Sequence, residues 1–196
     1  MDRNEEMIHN AENTENADAE AYNLVARLMH WIVAACVIGM FALGLWMVDL
    51  GYYDPWRKDA PEIHKSIGMI LLAVMIFRLF WRMIKGVPEP LSSHSKLEKT
   101  GAHLAHIGLY GLLFAIMVTG YLISTADGRT ISVFGLLDIP AFGSLFDNQE
   151  DIAGIVHFYL AVGVIALASL HALAALKHHF LDKDNTLMRM IRMPKR

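Results

Sequence analysis

One cysteine, Cys36, stands in a chain of 196 residues, and that scarcity removes one class of redox centre at the outset. Covalent attachment of a c-type haem needs the two thioethers of a C-x-x-C-H run, and the chain has no such run. Cys36 therefore reads as a small packing residue in an apolar segment. Charge is scarce too: Asp, Glu, Lys and Arg make up 19% of the residues against 55% hydrophobic, a balance too apolar for an ordinary soluble domain. No internal repeat, second soluble domain or nucleic-acid signature is legible. The opening "MDRNEEMIHNAENTENADAE" is polar, acidic and aperiodic. It is expected to form a disordered tail, and it lacks the basic start, apolar core and small-residue cleavage site of a signal peptide.

What the chain does have is four long apolar runs, and a helix needs about 20 mostly apolar residues to cross a bilayer core. The first, Leu28 to Val48, is uncharged throughout. The second, Glu62 to Ile84, is apolar from Ile67 to Phe77 and carries Arg78 and Arg82 near its end, where long side chains reach the headgroups. The third, Gly101 to Ala126, and the fourth, Ile152 to Leu176, contain no Asp, Glu, Lys or Arg. Pro and Gly punctuate the connections Gly51 to Pro61 and Gly86 to Thr100, and Asp127 to Asp151 reads as a longer loop. The expected fold class is an all-α membrane protein. A four-helix transmembrane bundle over residues 21–181 lies between the acidic tail 1–20 and a basic cytoplasmic tail 182–196.

Lysine and arginine are retained on the cytoplasmic side of membrane proteins. Arg78, Arg82, Lys85, Lys96 and Lys99 fall between the second and third runs, and Lys177, Lys183, Arg189, Arg192, Lys195 and Arg196 follow the fourth. The opposite side has Arg57, Lys58, Lys65 and Arg129. Both termini are therefore expected in the cytoplasm, with the acidic loop carrying Asp127, Asp138, Asp147, Glu150 and Asp151 facing out.

Depth organises the histidines. His30 lies just inside the cytoplasmic end of helix one, and His64 just inside the outer end of helix two. Helix four carries His157 in its outer part and His171 in its inner part. Their separation, 171 − 157 = 14 residues, returns to within roughly 40° of the same face about 21 Å further along the axis. His30 shares the depth of His171, and His64 that of His157. Two haems require this pattern, since a six-coordinate iron takes one imidazole on each side, from different helices. Without a C-x-x-C-H run the implied cofactor is haem b. Gly68, Gly154, Ala161, Gly163, Ala168 and Ala172 would leave room for the macrocycle and for close helix contacts. Arg27, Arg78 and Arg82 cluster near the inner pair as candidate partners of its propionates, alongside a topological role.

His-Trp at 30–31 opens helix one, His-Lys-Ser at 64–66 opens helix two, and "HALAALKHHFLDKDNTLMRM" closes the chain. With "AHIGLYGLLFAIMVTGYLIS" between them, these segments resemble the bacterial cytochrome b561 family over about Tyr22 to Met193. The resemblance implies His30, His64, His157 and His171 as axial iron ligands of two haems b, in agreement with the pairing by depth. It also implies a multi-pass protein of the bacterial inner membrane, with ubiquinone chemistry beside the inner haem. His103, His106 and His178 are then candidates for a quinone site, because imidazole titrates in the range needed to relay a proton. His103, at the depth of His30, is also the chief rival ligand there, and only the family pattern decides between them. No catalytic side chain is assigned.

The function this implies is transmembrane electron transfer between an outer-face donor and the quinone pool. The resemblance extends to a membrane oxidoreductase that oxidises superoxide and reduces ubiquinone. An acidic outer loop suits a periplasmic electron-transfer protein with a basic patch equally well, since cationic surfaces are what steer anions. Two further readings are the cytochrome b subunit of a dehydrogenase- or hydrogenase-type complex, and a non-catalytic metal-binding or transport membrane protein. The last would want its histidines converging at one depth, whereas these are split between two.

Overall fold

The computed structural model describes residues 21–91 and 93–191. The acidic tail at 1–20 and Arg192, Lys195 and Arg196 lie outside the described residues. Four long helices dominate: α1 Leu24–Val48, α2 Asp59–Lys85, α3 Lys96–Thr125 and α4 Gln149–Phe180. All four are long and apolar enough to cross a membrane. A two-stranded antiparallel sheet, β1 Ile131–Val133 and β2 Leu137–Ile139, joins α3 to α4, and a single-turn α5, Met188–Ile191, closes the described chain.

Each helix end has a local cause. Asn23 caps α1, its side chain accepting from the Ala26 N–H at 2.9 Å. Pro61 stands in the first turn of α2, where its missing N–H costs nothing, and Gly86 ends that helix at φ 69°. Ser95 and Glu98 form a reciprocal capping box on α3. Glu150 and Asp151 occupy the first turn of α4 and Lys177, His178 and His179 its last, matching charge to the helix dipole at both ends.

The helices pack mainly as two hairpins, α1 on α2 and α3 on α4, joined through α2 and α3. Val33, Leu71, Met75, Leu113 and Val164 form the buried mid-bundle cluster, so every long helix contributes. Val164 lies seven residues from both His157 and His171 (164 − 157 and 171 − 164), about 10 Å of helix either way. Apolar packing thus occupies the level between the two histidine depths. Outward, Ile38, Leu45, Val48, Phe80, Ile84, Leu104 and Leu173 are exposed. In water such a surface would be untenable, but around a bundle with self-satisfied helical backbones it is the surface that meets lipid.

The Asp127 to Asp151 connection is more ordered than a plain loop. Ile131 pairs Ile139 and Val133 pairs Leu137, and the turn takes Phe134 and Gly135 at φ 51° and 70°, the positive-φ pair that suits a tight hairpin. Buried Ser66 of α2 pins it, donating to the Ser132 carbonyl and accepting from the Phe134 N–H at 3.1 Å. Buried Gln149 ties the next stretch down, donating to the Leu122 carbonyl and accepting from the Leu145 N–H. At the other end of the bundle the segment after α4 lies across the helix ends. Trp31 donates to the Met190 carbonyl at 2.9 Å, and Arg189 to the Glu89 carbonyl at 2.9 Å.

Candidate functional site

His64 on α2 and His157 on α4 face one another with ring centres 6.3 Å apart and planes at 68°. At the other end His30 on α1 and His171 on α4 stand 6.3 Å apart at 69°. The match has a physical meaning. A metal–imidazole bond of about 2.0 Å, plus roughly 1.1 Å from ring nitrogen to ring centre, places two imidazoles on opposite sides of one ion roughly 6.2 Å apart. Both pairs meet that separation. His106 approaches His171 more closely, at 5.2 Å, and His94 approaches His178 at 4.4 Å; neither of these leaves room for an ion on the line between the rings.

The outer pair is prepared on its α4 side. His157 Nδ1 is 2.9 Å from the Ile116 carbonyl, which only accepts, so Nδ1 carries the proton and Nε2 keeps the lone pair that binds metal. Thr119 donates to the same carbonyl at 2.9 Å and sits 3.1 Å from Nδ1. Gly120 backs the ring: a Cβ there would lie 3.1 Å from His157 Cε1. Gly44 of α1 similarly backs His64, where a Cβ would lie 3.4 Å from Cε1. The buried His64 Nδ1 has no hydrogen-bond partner.

The inner pair is embedded in positive charge. Arg78 donates to His30 Nδ1 at 3.1 Å, and Arg78 and Arg82 both lie over the Tyr110 ring, at 5.5 and 5.9 Å. An arginine only donates, so His30 here carries its proton on Nε2. Were either nitrogen to bind iron, Arg78 would have to leave this contact. Arg27, three residues before His30 on α1, is 4% exposed, and its Nε and Nη1 have no hydrogen-bond partner. A buried guanidinium in that condition calls for an anion, which a haem propionate would supply.

The three expected quinone-site histidines do not converge. His106 joins the inner pair, whereas His103 is exposed one turn away. His178 turns instead to His94, Asp182 and Asp184. The residue closest to rivalling an inner ligand is therefore His106 rather than His103. Of the glycines expected to make room, Gly154 has open space, and Gly68 and Gly163 meet only the side-chain tips of Met40 and Leu112 at 3.7 and 3.9 Å. Gly44 and Gly120 are the ones at the rings. Their signal in the sequence was a glycine inside a transmembrane helix, costly unless something packs closely there.

At the hairpin end of the bundle, Lys65 pairs with Glu62 and Arg129 with Asp127. The hydrogen bonds from Arg129 hold the Asp127 carboxyl below its ordinary range, and Asp127 in turn raises Arg129.

A four-helix membrane bundle with one histidine pair near each end, each pair bridging two helices, defines a membrane cytochrome of the b type. The chain belongs to the prokaryotic cytochrome b561 family, whose profile matches residues 21–193. It is 52% identical to "Cytochrome b561 homolog 2" of Escherichia coli (strain K12) over 172 residues, 88% of this chain and 92% of the relative. It is 33% identical to "Probable superoxide oxidase CybB" of Yersinia pestis over 169 residues, 86% of this chain and 93% of the relative. A third relative, "Cytochrome b561 homolog 1" of E. coli, is 30% identical over 172 residues, 86% of this chain and 94% of that one. Membrane electron transfer is the family's function, and haem b its implied cofactor.

Proposed function

We propose that the chain carries electrons across the bacterial inner membrane, between a donor on the hairpin side and ubiquinone on the His106 side, using two haems b. The observation that carries this reading is the identical 6.3 Å spacing of the His64–His157 and His30–His171 pairs at opposite ends of one bundle. Each haem b supplies a one-electron iron couple. The chain's own residues do the rest. His157, fixed through Ile116, presents a preset Nε2. Arg27 and Arg78 offer cationic partners to the inner propionates, and the mid-bundle cluster keeps water from the level between the pairs.

At the inner end, His106 is the proton-relaying side chain best placed for a quinone, with His103 between it and the surface. Each quinol formed takes up two electrons and two protons, and these imidazoles are suited to passing the protons in. His178, held by His94 and Asp184, would take part only from the edge of that site. The test is a haem-to-protein ratio together with visible spectra in the presence of superoxide, menaquinol and ubiquinol. A ratio near two, with reduction from the outer face and reoxidation by ubiquinone, is expected. A ratio near one overturns the scheme.

The nature of the donor admits a second reading, favoured by the outer-face charges. Arg129 and Lys65 are already engaged by carboxylates, which leaves little positive field to draw in superoxide. A small redox protein with a basic surface fits Asp138, Asp147, Glu150 and Asp151 better.

A further inference from the structure

Near the His30–His171 pair, but apart from it, donor atoms of His94, His178 and Asp184 converge from three chain segments, with Asp182 at their edge against His178. His94 Nε2 comes from the approach to α3, and His178 Nδ1 from the last turn of α4. Asp182 Oδ2 and Asp184 Oδ2 come from the segment that crosses the bundle end. His94 Nε2 lies 2.9 Å from Asp184 Oδ2, and His178 Nδ1 lies 3.0 Å from that oxygen and 2.9 Å from Asp182 Oδ2. The donor atoms of His94, His178 and Asp184 all fall within 4.8 Å of one another. These three side chains are only 12–13% exposed.

Hydrogen bonding explains part of this cluster and fails at one atom. His94 is satisfied by Asp184 and by Thr186, whose hydroxyl is 3.1 Å away. His178 Nδ1 is buried and touches two carboxylate oxygens, yet forms a hydrogen bond with neither, because neither oxygen lies where an in-plane N–H would point. A cation among these atoms resolves the mismatch, since an imidazole lone pair and two carboxylates can all address one ion. Two imidazoles select a borderline transition ion over calcium or magnesium. Tetrahedral bonds of 2.0–2.1 Å put neighbouring donors about 3.4 Å apart, a few tenths of an ångström wider than the contacts of His94 and His178 with Asp184 Oδ2.

We infer that His94, His178 and Asp184 form a binding site for a divalent transition metal ion of the zinc type. Asp182, now against His178 and 2.7 Å from Lys177, supplies the fourth position by swinging inward once Lys177 releases it. Bound metal would cross-link the approach to α3, the end of α4 and the segment leading to α5. The inference is independent of the donor and of the haem count, because it uses none of the four paired histidines; of the proposed quinone-site residues it shares only His178.

The test uses the full chain, haem-loaded in detergent, prepared without a histidine tag and stripped with EDTA. Zn²⁺ is titrated against a chromophoric chelator. One ion per chain is expected. His94→Gln and Asp184→Asn should each weaken it by more than the roughly 10- to 100-fold typical of losing a mere supporting contact, and His179→Gln should leave it unchanged. An unaltered haem spectrum shows that the variants have folded. Should either variant fail to fold, zinc-edge X-ray absorption of the unmodified protein decides, with two imidazoles and carboxylate oxygen expected around the ion. No bound zinc, zinc binding equal in all the variants, or an absorption spectrum without two imidazoles would each overturn the site.

Discussion

Gly120 and Gly44 do the same job at different tolerances. Both leave space for an imidazole of the outer pair, but an added methyl at Gly120 would sit 3.1 Å from His157 Cε1, against 3.4 Å between Gly44 and His64. The first distance forces a shift of the ring, and overpacking of this kind costs about 1–3 kcal/mol; the second is ordinary contact. Gly120→Ala should therefore lower occupancy of the haem proposed at the His64–His157 pair, read from haem-to-protein ratio and thermal midpoint, while Gly44→Ala keeps both near the parent values. Arg27 allows a second prediction at this scale. Removing a positive charge beside a haem favours the ferric form, so Arg27→Gln should lower the reduction potential of the haem proposed at the His30–His171 pair, by roughly 60 mV for each 1.4 kcal/mol of lost pairing. A spectroelectrochemical titration in which the potential stays put would assign Arg27 to topology alone. Arg78→Gln tests the same point for the side chain that must swing away from His30.

Among the elements, the segment after α4 is held by few and nameable contacts. Replacing Trp31 with Phe keeps the ring and removes its bond to the Met190 carbonyl, a loss of about 1 kcal/mol. That is enough to raise the rate at which a protease nicks the segment around Asp184 several-fold, with the four long helices unaffected. Burial pushes the Asp184 carboxyl up, but bonds from Thr186 and His94 outweigh it and bring it down to about 2, so this anchor stays ionised throughout the physiological range. The long helices were legible because apolar runs of that length have one stable form in lipid, although capping by Asn23 and Ser95 extends α1 and α3 by about a turn beyond the apolar run. The hairpin was not foreseen. Its strands are three residues each, too short for alternation to register, and it depends on a distant serine, Ser66. His64 and His157 could be paired from depth alone because helix pitch fixes depth. Azimuth is set by packing between helices, and so the grouping of His106 with His171, and of His178 with His94, could not be read in advance.

Over the whole molecule, charge asymmetry predicts which end faces which compartment. Arg78, Arg82, Lys85, Lys96 and Lys99 gather at the His30–His171 end, and retention of such residues on the cytoplasmic side predicts that this end faces the cytoplasm. Tyr53 and Leu97 are 93% and 85% exposed at opposite ends, which makes them reporters. In a Cys36→Ala background, a membrane-impermeant maleimide applied to intact cells should label Tyr53→Cys and spare Leu97→Cys; the reverse would invert the direction of every proposed step. The same asymmetry bears on the donor. An acidic hairpin end whose cations are partly paired attracts a basic protein through a field that salt screens over about 8–10 Å, so under the proposed donor reading the second-order rate of haem reduction by such a protein should fall severalfold between low and physiological ionic strength. Superoxide, an anion meeting the same face, would instead be repelled at low salt and react no more slowly as salt is added. Stopped-flow reduction of the outer haem across a salt series thus separates the two donors by the sign of the slope. A rate that rises or stays flat with salt for the basic protein would remove it as the partner of this surface.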